Sequence, residues 1–192
     1  MTLSEHDDAQ QQDGALIAQA HSGKRKAFDE LMRRHEPRMT NLARRTMGNN
    51  ADAEDTVQEA MAAAWFKLSQ FDQSLPFGPW VTRIVLNKCR DQLRKRKVMR
   101  LFDFGPDNEV EQVATDSPDQ QESAEAAQSL QFVKKEISNL PTRLREALVL
   151  VTFDGQSQAE AATILGTTEK AIETRIYRAR NRLREKLEKF EG

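Results

Sequence analysis

The chain has 192 residues, 38% hydrophobic and 31% charged, and its 29 Lys and Arg nearly balance 30 Asp and Glu to a formal charge of -1. That length holds one or two compact domains with modest cores, and the balance excludes a uniformly basic coat, so binding potential has to come from local patches. A single cysteine, Cys89, excludes an intramolecular disulfide and a multi-cysteine metal site; it is read as a small buried hydrophobe in a reducing compartment.

The first residues, MTLSEHDDAQQQDG, are acidic and polar and lack the basic start and apolar run of a secretory signal. No later stretch approaches the ~20 apolar residues of a membrane span, so a cytoplasmic protein with no membrane contact is expected. Helical spacing begins with Ala27, Phe28, Leu31 and Met32. Gly48-Asn49-Asn50 interrupts it, and a second stripe follows in Val57, Ala60, Met61, Ala64, Trp65 and Leu68. Asp52 is the expected N-cap of that second helix, with Asp55 near the positive end of its dipole.

A stop from Gln73 to Pro79 precedes a third helix, read as Trp80 to Arg100. Val81, Ile84, Val85, Cys89 and Leu93 fall on one side of it, and Arg83, Asn87, Arg90, Arg94 and Lys97 on the other. From Arg83 to Arg100 eight residues are basic and one, Asp91, is acidic. So one-sided a density suits a phosphate backbone. Phe71 and Phe77, just upstream, are expected in the core.

Between Leu101 and Ala127 the periodicity fails. The stretch carries Asp103, Asp107, Glu109, Glu111, Asp116, Asp119, Glu122 and Glu125, no Lys or Arg, and two prolines, Pro106 and Pro118. Low hydrophobicity with charge of one sign marks a flexible acidic linker. Helical spacing resumes with Leu130, Val133, Ile137 and Leu140, then Leu144, Ala147, Leu148 and Val151. The expected fold class is all-α: a disordered N-terminus at 1–13, a helical domain at 14–100, the acidic linker at 101–127, and a second helical domain at 128–190.

The second domain contains the sharpest pattern. From Ser157 to Ile176 the chain has the grammar of a helix-turn-helix. Ser157 caps the first helix, with Glu160 placed for a capping box; Ala162 is small where the helices cross; Leu165 fills the core; Gly166 supplies the positive-φ turn. The second helix starts near Thr168. Ile172, Ile176, Ala179 and Leu183 fall on its inner face, while Lys170, Thr174, Tyr177, Arg178 and Asn181 face outward with Arg175 and Arg182 at the edge. Short polar groups and arginines on one helix face suit base edges and phosphates of a major groove.

The run Leu140-Pro-x-x-x-Arg-Glu-Ala-Leu, continuing through this unit to Tyr177-Arg-Ala-Arg-Asn-Arg-Leu-Arg, resembles region 4 of bacterial sigma factors, which recognises the −35 promoter element. Lys170-Ala171 stands where many relatives carry glycine followed by Thr or Ser, so no base preference carries over. Upstream, Ala27-Phe-Asp-Glu-Leu-Met-Arg-Arg-His35 with Asp52-Ala-Glu-Asp-Thr-Val-Gln-Glu-Ala60 and Trp65 resembles regions 2.1 and 2.2 of the extracytoplasmic-function (ECF) subfamily. The spacer is too short and polar for the additional folded domain of housekeeping sigma factors.

The resemblance implies partners and roles. Asp55, Gln58, Glu59 and Phe66 become candidates for docking on the clamp coiled coil of the largest polymerase subunit, and the flap region of core RNA polymerase is a further expected contact. Trp80, Arg83, Asn87, Arg90, Arg94 and Lys97 become candidates for the −10 element of promoter DNA, Asn87 as a base reader because an amide both donates and accepts. Trp80 is divided between packing and contact with the opened strand. Lys170, Thr174, Arg175, Tyr177, Arg178 and Asn181 are the −35 candidates. An anti-sigma factor is the expected inhibitor. The three histidines, His6, His21 and His35, are far apart and lack cysteine partners, so no metal is expected. Nor is a cofactor or catalysis, since no phosphate loop, nucleophile elbow or HExxH occurs. The rival reading is a helix-turn-helix regulator that binds DNA without polymerase.

Overall fold

The computed structural model describes residues 13–102 and 121–191, and it is helical wherever it is regular. In chain order the elements are α1 (13–21), α2 (Arg25–Met47), α3 (Asn50–Lys67) with a 3-10 turn at Leu68–Gln70, α4 (Phe77–Phe102), α5 (Gln121–Asn139), α6 (Thr142–Thr152), α7 (Gln158–Leu165) and α8 (Glu169–Glu191). Residues 1–12 and 103–120, which hold most of the expected N-terminal tail and of the acidic linker, lie outside the described residues. At the edges of those segments, Asp13 opens α1, α4 runs on through Phe102, and α5 begins at Gln121.

The local signals explain where helices begin and end. Asn49, not Asp52, caps α3: its side chain accepts from the Ala51 N–H, and Asp52 lies in the first turn, where it still meets the helix dipole. The third helix starts earlier than Trp80, at Phe77. Pro79 is tolerated there because first-turn N–H groups have no intrahelical acceptor to lose. Ser157 and Glu160 form the complete capping box at the head of α7, and Gly166 closes that helix at φ 62°. Leu165, expected in the core, is half-buried; its neighbour Ile164 is the residue sealed inside.

Helices α2, α3 and α4 pack on one another around Phe28, Leu31, Met39, Val57, Val81, Val85 and Leu86, while α6, α7 and α8 pack around Val149, Leu150 and Ile172. Each such side chain taken from water contributes roughly 1.5–3 kcal/mol, so the apolar stripes are enough to define two bundles. The bundles also touch. Helix α2 lies against α5 and α6, and α4 against α7. Gly48 ends α2 at φ 70°, and a β-carbon on it would fall 2.7 Å from Ser138 Cβ of α5. Glycine is needed there both for the left-handed cap and for the close approach of the two bundles.

Candidate nucleic-acid interface

Helix α8 keeps its hydrophobic and polar faces apart as the spacing requires. Ile172, Ile176 and Ala179 are buried, and Leu183 is partly so. Lys170, Thr174, Tyr177 and Arg178 are exposed, with Tyr177 66% accessible. Thr174 Oγ1 donates to the Lys170 carbonyl, Lys170 Nζ pairs with Glu173 at 2.8 Å, and Arg175 Nη2 reaches Thr167 Oγ1 at 3.4 Å across the turn. Each of these contacts is local to the helix-turn-helix. Arg178, Asn181 and Arg182 also line an open groove against Pro141, Arg143 and Leu144 at the head of α6. The floor of the groove is apolar and its rim basic.

Helix α4 divides in the same way but is differently engaged. Val81, Ile84, Val85 and Cys89 are buried, and burial pushes the Cys89 thiol up to about 12, which leaves it protonated and inert. Arg83, Asn87, Arg94 and Lys97 are exposed. Arg90, by contrast, aims its guanidinium at the other bundle. Its Nε and Nη2 donate to the two carboxylate oxygens of Glu146 on α6 at 2.7 and 2.9 Å, while Nη1 donates to Asn87 Oδ1 at 2.8 Å. The Glu146 side chain is 2% accessible. That bidentate bond holds the Arg90 proton more firmly than usual. Beside it, Arg145 is buried with its Nε unpartnered, and burial lowers its pKa.

A second fork crosses the same seam. Arg38 Nε and Nη2 of α2 donate to Asp154 at 2.9 and 2.6 Å, just past the end of α6. Burial raises the Asp154 pKa, and the Arg38 bonds oppose that rise only in part. Arg45 stands over the Phe153 ring at 4.4 Å. Helical spacing gives Asp154, Arg38 and Arg45 no role, and Glu146 enters only as a member of the run from Leu140 to Leu148. Nothing in periodicity marks an acid on a mostly apolar helix as the partner of an arginine 56 residues away.

The outer face of α3 presents Asp55, Gln58, Glu59 and Phe66 together in solvent, with Phe66 79% accessible. Gln58 donates to Glu36 of α2 at 3.2 Å, and Glu59 accepts from Lys88 and Gln92 of α4, both at 3.3 Å. Phe71, Phe77 and Trp80 form one aromatic cluster, with centroids 4.8 to 5.7 Å apart. Phe71 and Phe77 are core residues, and Trp80 is half-buried on their outer side, packed but within reach of solvent. No helix among the described residues is long and apolar enough to cross a membrane.

Comparison with known proteins follows the same division of the chain. Residues 31–98 match Sigma-70 region 2 and residues 133–183 match Sigma-70, region 4. The chain is 42% identical over 176 residues to the RNA polymerase sigma factor CnrH of Cupriavidus metallidurans, covering 89% of this chain and 92% of that one. The structure of CnrH in complex with the cytosolic domain of CnrY is similar at a TM-score of 0.67 and 37% identity, over 92% of this chain and 97% of that. The ECF RNA polymerase sigma factor SigM of Mycobacterium tuberculosis is 37% identical over 171 residues, 89% of this chain and 82% of its own. The sigma factor RpoE of Bartonella quintana, in complex with the anti-sigma factor NepR, is similar at a TM-score of 0.69 and 29% identity, over 85% and 98% of the two chains.

Proposed function

The chain belongs to the extracytoplasmic-function sigma factors of bacterial RNA polymerase, and from that membership we propose that it docks on core polymerase through α3 and reads a promoter with α4 and α8. In this reading 14–100 is the polymerase-binding and −10 unit, 128–190 is the −35 unit, and the acidic stretch between them is the tether. The observation that carries it is the pairing, in one chain, of two helices that each bury an apolar stripe and turn arginines and amides outward. One such helix suits a regulator; two on separate bundles suit a factor that reads two elements at once.

Each face has chemistry for its role. On α8, Lys170, Arg175 and Arg178 supply cations for phosphates, and Thr174, Tyr177 and Asn181 supply groups that reach base edges. On α4, Arg83, Arg90, Arg94 and Lys97 form the cationic track, Asn87 is the base reader, and Trp80 offers an aromatic surface to an unstacked base. On α3, Asp55 and Glu59 present negative charge and Phe66 an uncovered ring, a combination suited to a basic helical partner with an apolar seam. The flap region of core polymerase is the further contact that this reading gives the second bundle. The chain performs no covalent step; polymerase supplies the chemistry. RpoE is bound by an anti-sigma factor, and we extend that mode of control to this chain, working in the cytoplasm where polymerase and DNA are found.

The test is transcription in vitro with core polymerase on a library of genomic fragments. Defined RNA start sites that depend on the added chain are expected. Tight duplex binding that needs no core enzyme, with no defined starts, would instead make the chain a helix-turn-helix regulator.

A further inference from the structure

We propose that Asp13 and His35 are positioning residues: their bond, which ties α1 to α2, sets the aromatic cluster of Phe71, Phe77 and Trp80 at the head of α4. The inference rests on the reading in which Trp80 meets an unstacked base of the opened strand.

Both residues stand on the inward side of their helices. On α1, Asp13 shares a face with Leu16, Ile17 and Ala20; Ile17 and Ala20 are buried, and Leu16 packs against the core. On α2, His35 continues the buried stripe of Phe28, Leu31, Met32 and Met39. Spacings of three and four put polar groups where apolar ones belong, and a polar group there needs a partner. They partner each other. Asp13 Oδ2 accepts from His35 Nε2 at 2.7 Å across 22 residues of sequence, and both side chains are 16% accessible. A carboxylate only accepts, so Nε2 is the ring nitrogen that carries the proton. The other Asp13 oxygen faces Arg34 Nη1 at 3.7 Å.

The imidazole also touches α4. Its ring centroid lies 5.2 Å from that of Phe77, with the planes 60° apart. Phe77 opens α4 and is 3% accessible. Its ring is 5.3 Å from Trp80 and 5.7 Å from Phe71, and Phe71 lies 4.8 Å from Trp80. Contacts therefore run from Asp13 to Trp80 in three steps, from α1 through α2 to α4. Close-packed rings pass a displacement on rather than absorb it. Phe71 and Phe77 are sealed in the core, and Trp80 alone of the three is half-buried. A ring that stacks on an unstacked base has to hold its face at a set angle, and Trp80 is set from behind by rings that the clasp steadies. A pair that merely pinned α1 would need no contact with α4, since Ile17 and Ala20 already anchor that helix in the core.

The experiment uses the full chain. Asp13→Ala removes the bond and leaves the imidazole; His35→Gln keeps an N–H that can reach Asp13 and removes the ring; Asp13→Glu keeps the carboxylate. With Trp65→Phe in every variant, Trp80 is the sole tryptophan, and its emission and acrylamide quenching read its setting. Fluorescence anisotropy is measured on the chain assembled with core polymerase, as the increment over core enzyme alone. Its probes are a fluorescein-labelled single-stranded oligonucleotide and the same strand annealed to its complement, and circular dichroism confirms that the helices persist.

Asp13→Ala and His35→Gln should each shift Trp80 emission to the red. Each should weaken strand binding about fivefold, part of what one stacked base contributes, without loss on the duplex. Asp13→Ala makes the chain more positive, so electrostatics alone would tighten both complexes; a loss confined to the single strand is the mark of positioning. Asp13→Glu should return the readouts to those of the parent. Unchanged Trp80 emission in both variants would overturn the proposal, and so would equal losses on strand and duplex. Trp80→Ala tests the reading beneath it: undiminished strand binding there would take Trp80 off the strand, while a red shift in Asp13→Ala would still uphold the clasp.

Discussion

Helices α4 and α8 have nearly the same design and opposite circumstances. Both bury an aliphatic stripe and turn arginines and an asparagine outward. On α8, among the described residues, the bonds of the outward groups lie within their own helix-turn-helix, as Thr174 bonds to the Lys170 carbonyl. On α4 the central arginine is committed to an acid of the other bundle. A cationic helix face is thus defined by sequence, but whether it is available is decided by what the rest of the chain sets against it. The proposed −35 face is presented to solvent, while the centre of the proposed −10 face is occupied by the bond from Arg90 to Glu146.

The largest expected effect should strike both faces alike. Phe66, 79% accessible among the described residues, is the proposed aromatic anchor. Phe66→Ala should weaken binding to core polymerase by about thirtyfold, an interface anchor of roughly 2 kcal/mol, and lower transcription from every promoter together while leaving the radius of gyration unchanged. Pull-down with core enzyme checks it; retained core binding would remove Phe66 from the docking surface.

Next come two substitutions that should separate the faces. Asn87→Ala removes the amide proposed to read a base, a contact worth about 1–3 kcal/mol of discrimination. Transcription should fall about tenfold or more with core binding intact, and the −10 sequence preference should relax. Arg178→Ala removes an exposed cation from α8. Duplex affinity should fall uniformly across sequences, and the slope of log affinity against log salt should flatten by about 0.9, one phosphate's share. An unchanged slope would take Arg178 off the DNA backbone. If both variants produced the same phenotype, the distinction between a base-reading α4 and a phosphate-gripping α8 would be lost.

How much of this was legible in the sequence depends on the range over which the information acts. The capping box at Ser157, the turn at Gly166 and the inner faces of α4 and α8 follow from spacing within one helix, and all are present. The cap of α3 moved from Asp52 to Asn49 because two capping residues compete within four positions and the backbone enters its helix at the first. The seam was not legible. Glu146 sits among Ala147, Leu148, Val149 and Leu150, all buried, and spacing alone cannot say whether such an acid is a solvated edge or the partner of a distant guanidinium. Arg38 and Asp154 are separated by 116 residues, and their pairing arises only once two bundles, each specified locally, come into contact.

The smallest effect concerns the coupling between the two faces. Ser157 Oγ accepts from the Glu160 N–H at 3.2 Å, and Glu160 answers by accepting from the Ser157 N–H at 2.8 Å. Ser157→Ala deletes the cap and should cost about 1 kcal/mol, a fall in melting temperature of about 4–8 °C for a bundle of this size. Because α7 carries the turn that positions α8, −35 duplex affinity should decline slightly. Because α7 also packs on α4, the same loosening should slightly favour single-stranded binding at the −10 face. Opposite signs from one substitution are what a helix that supports α8 and covers α4 requires. A loss in both assays would mean that α7 supports α4 rather than covering it, and two-probe anisotropy on the same preparation decides between the outcomes.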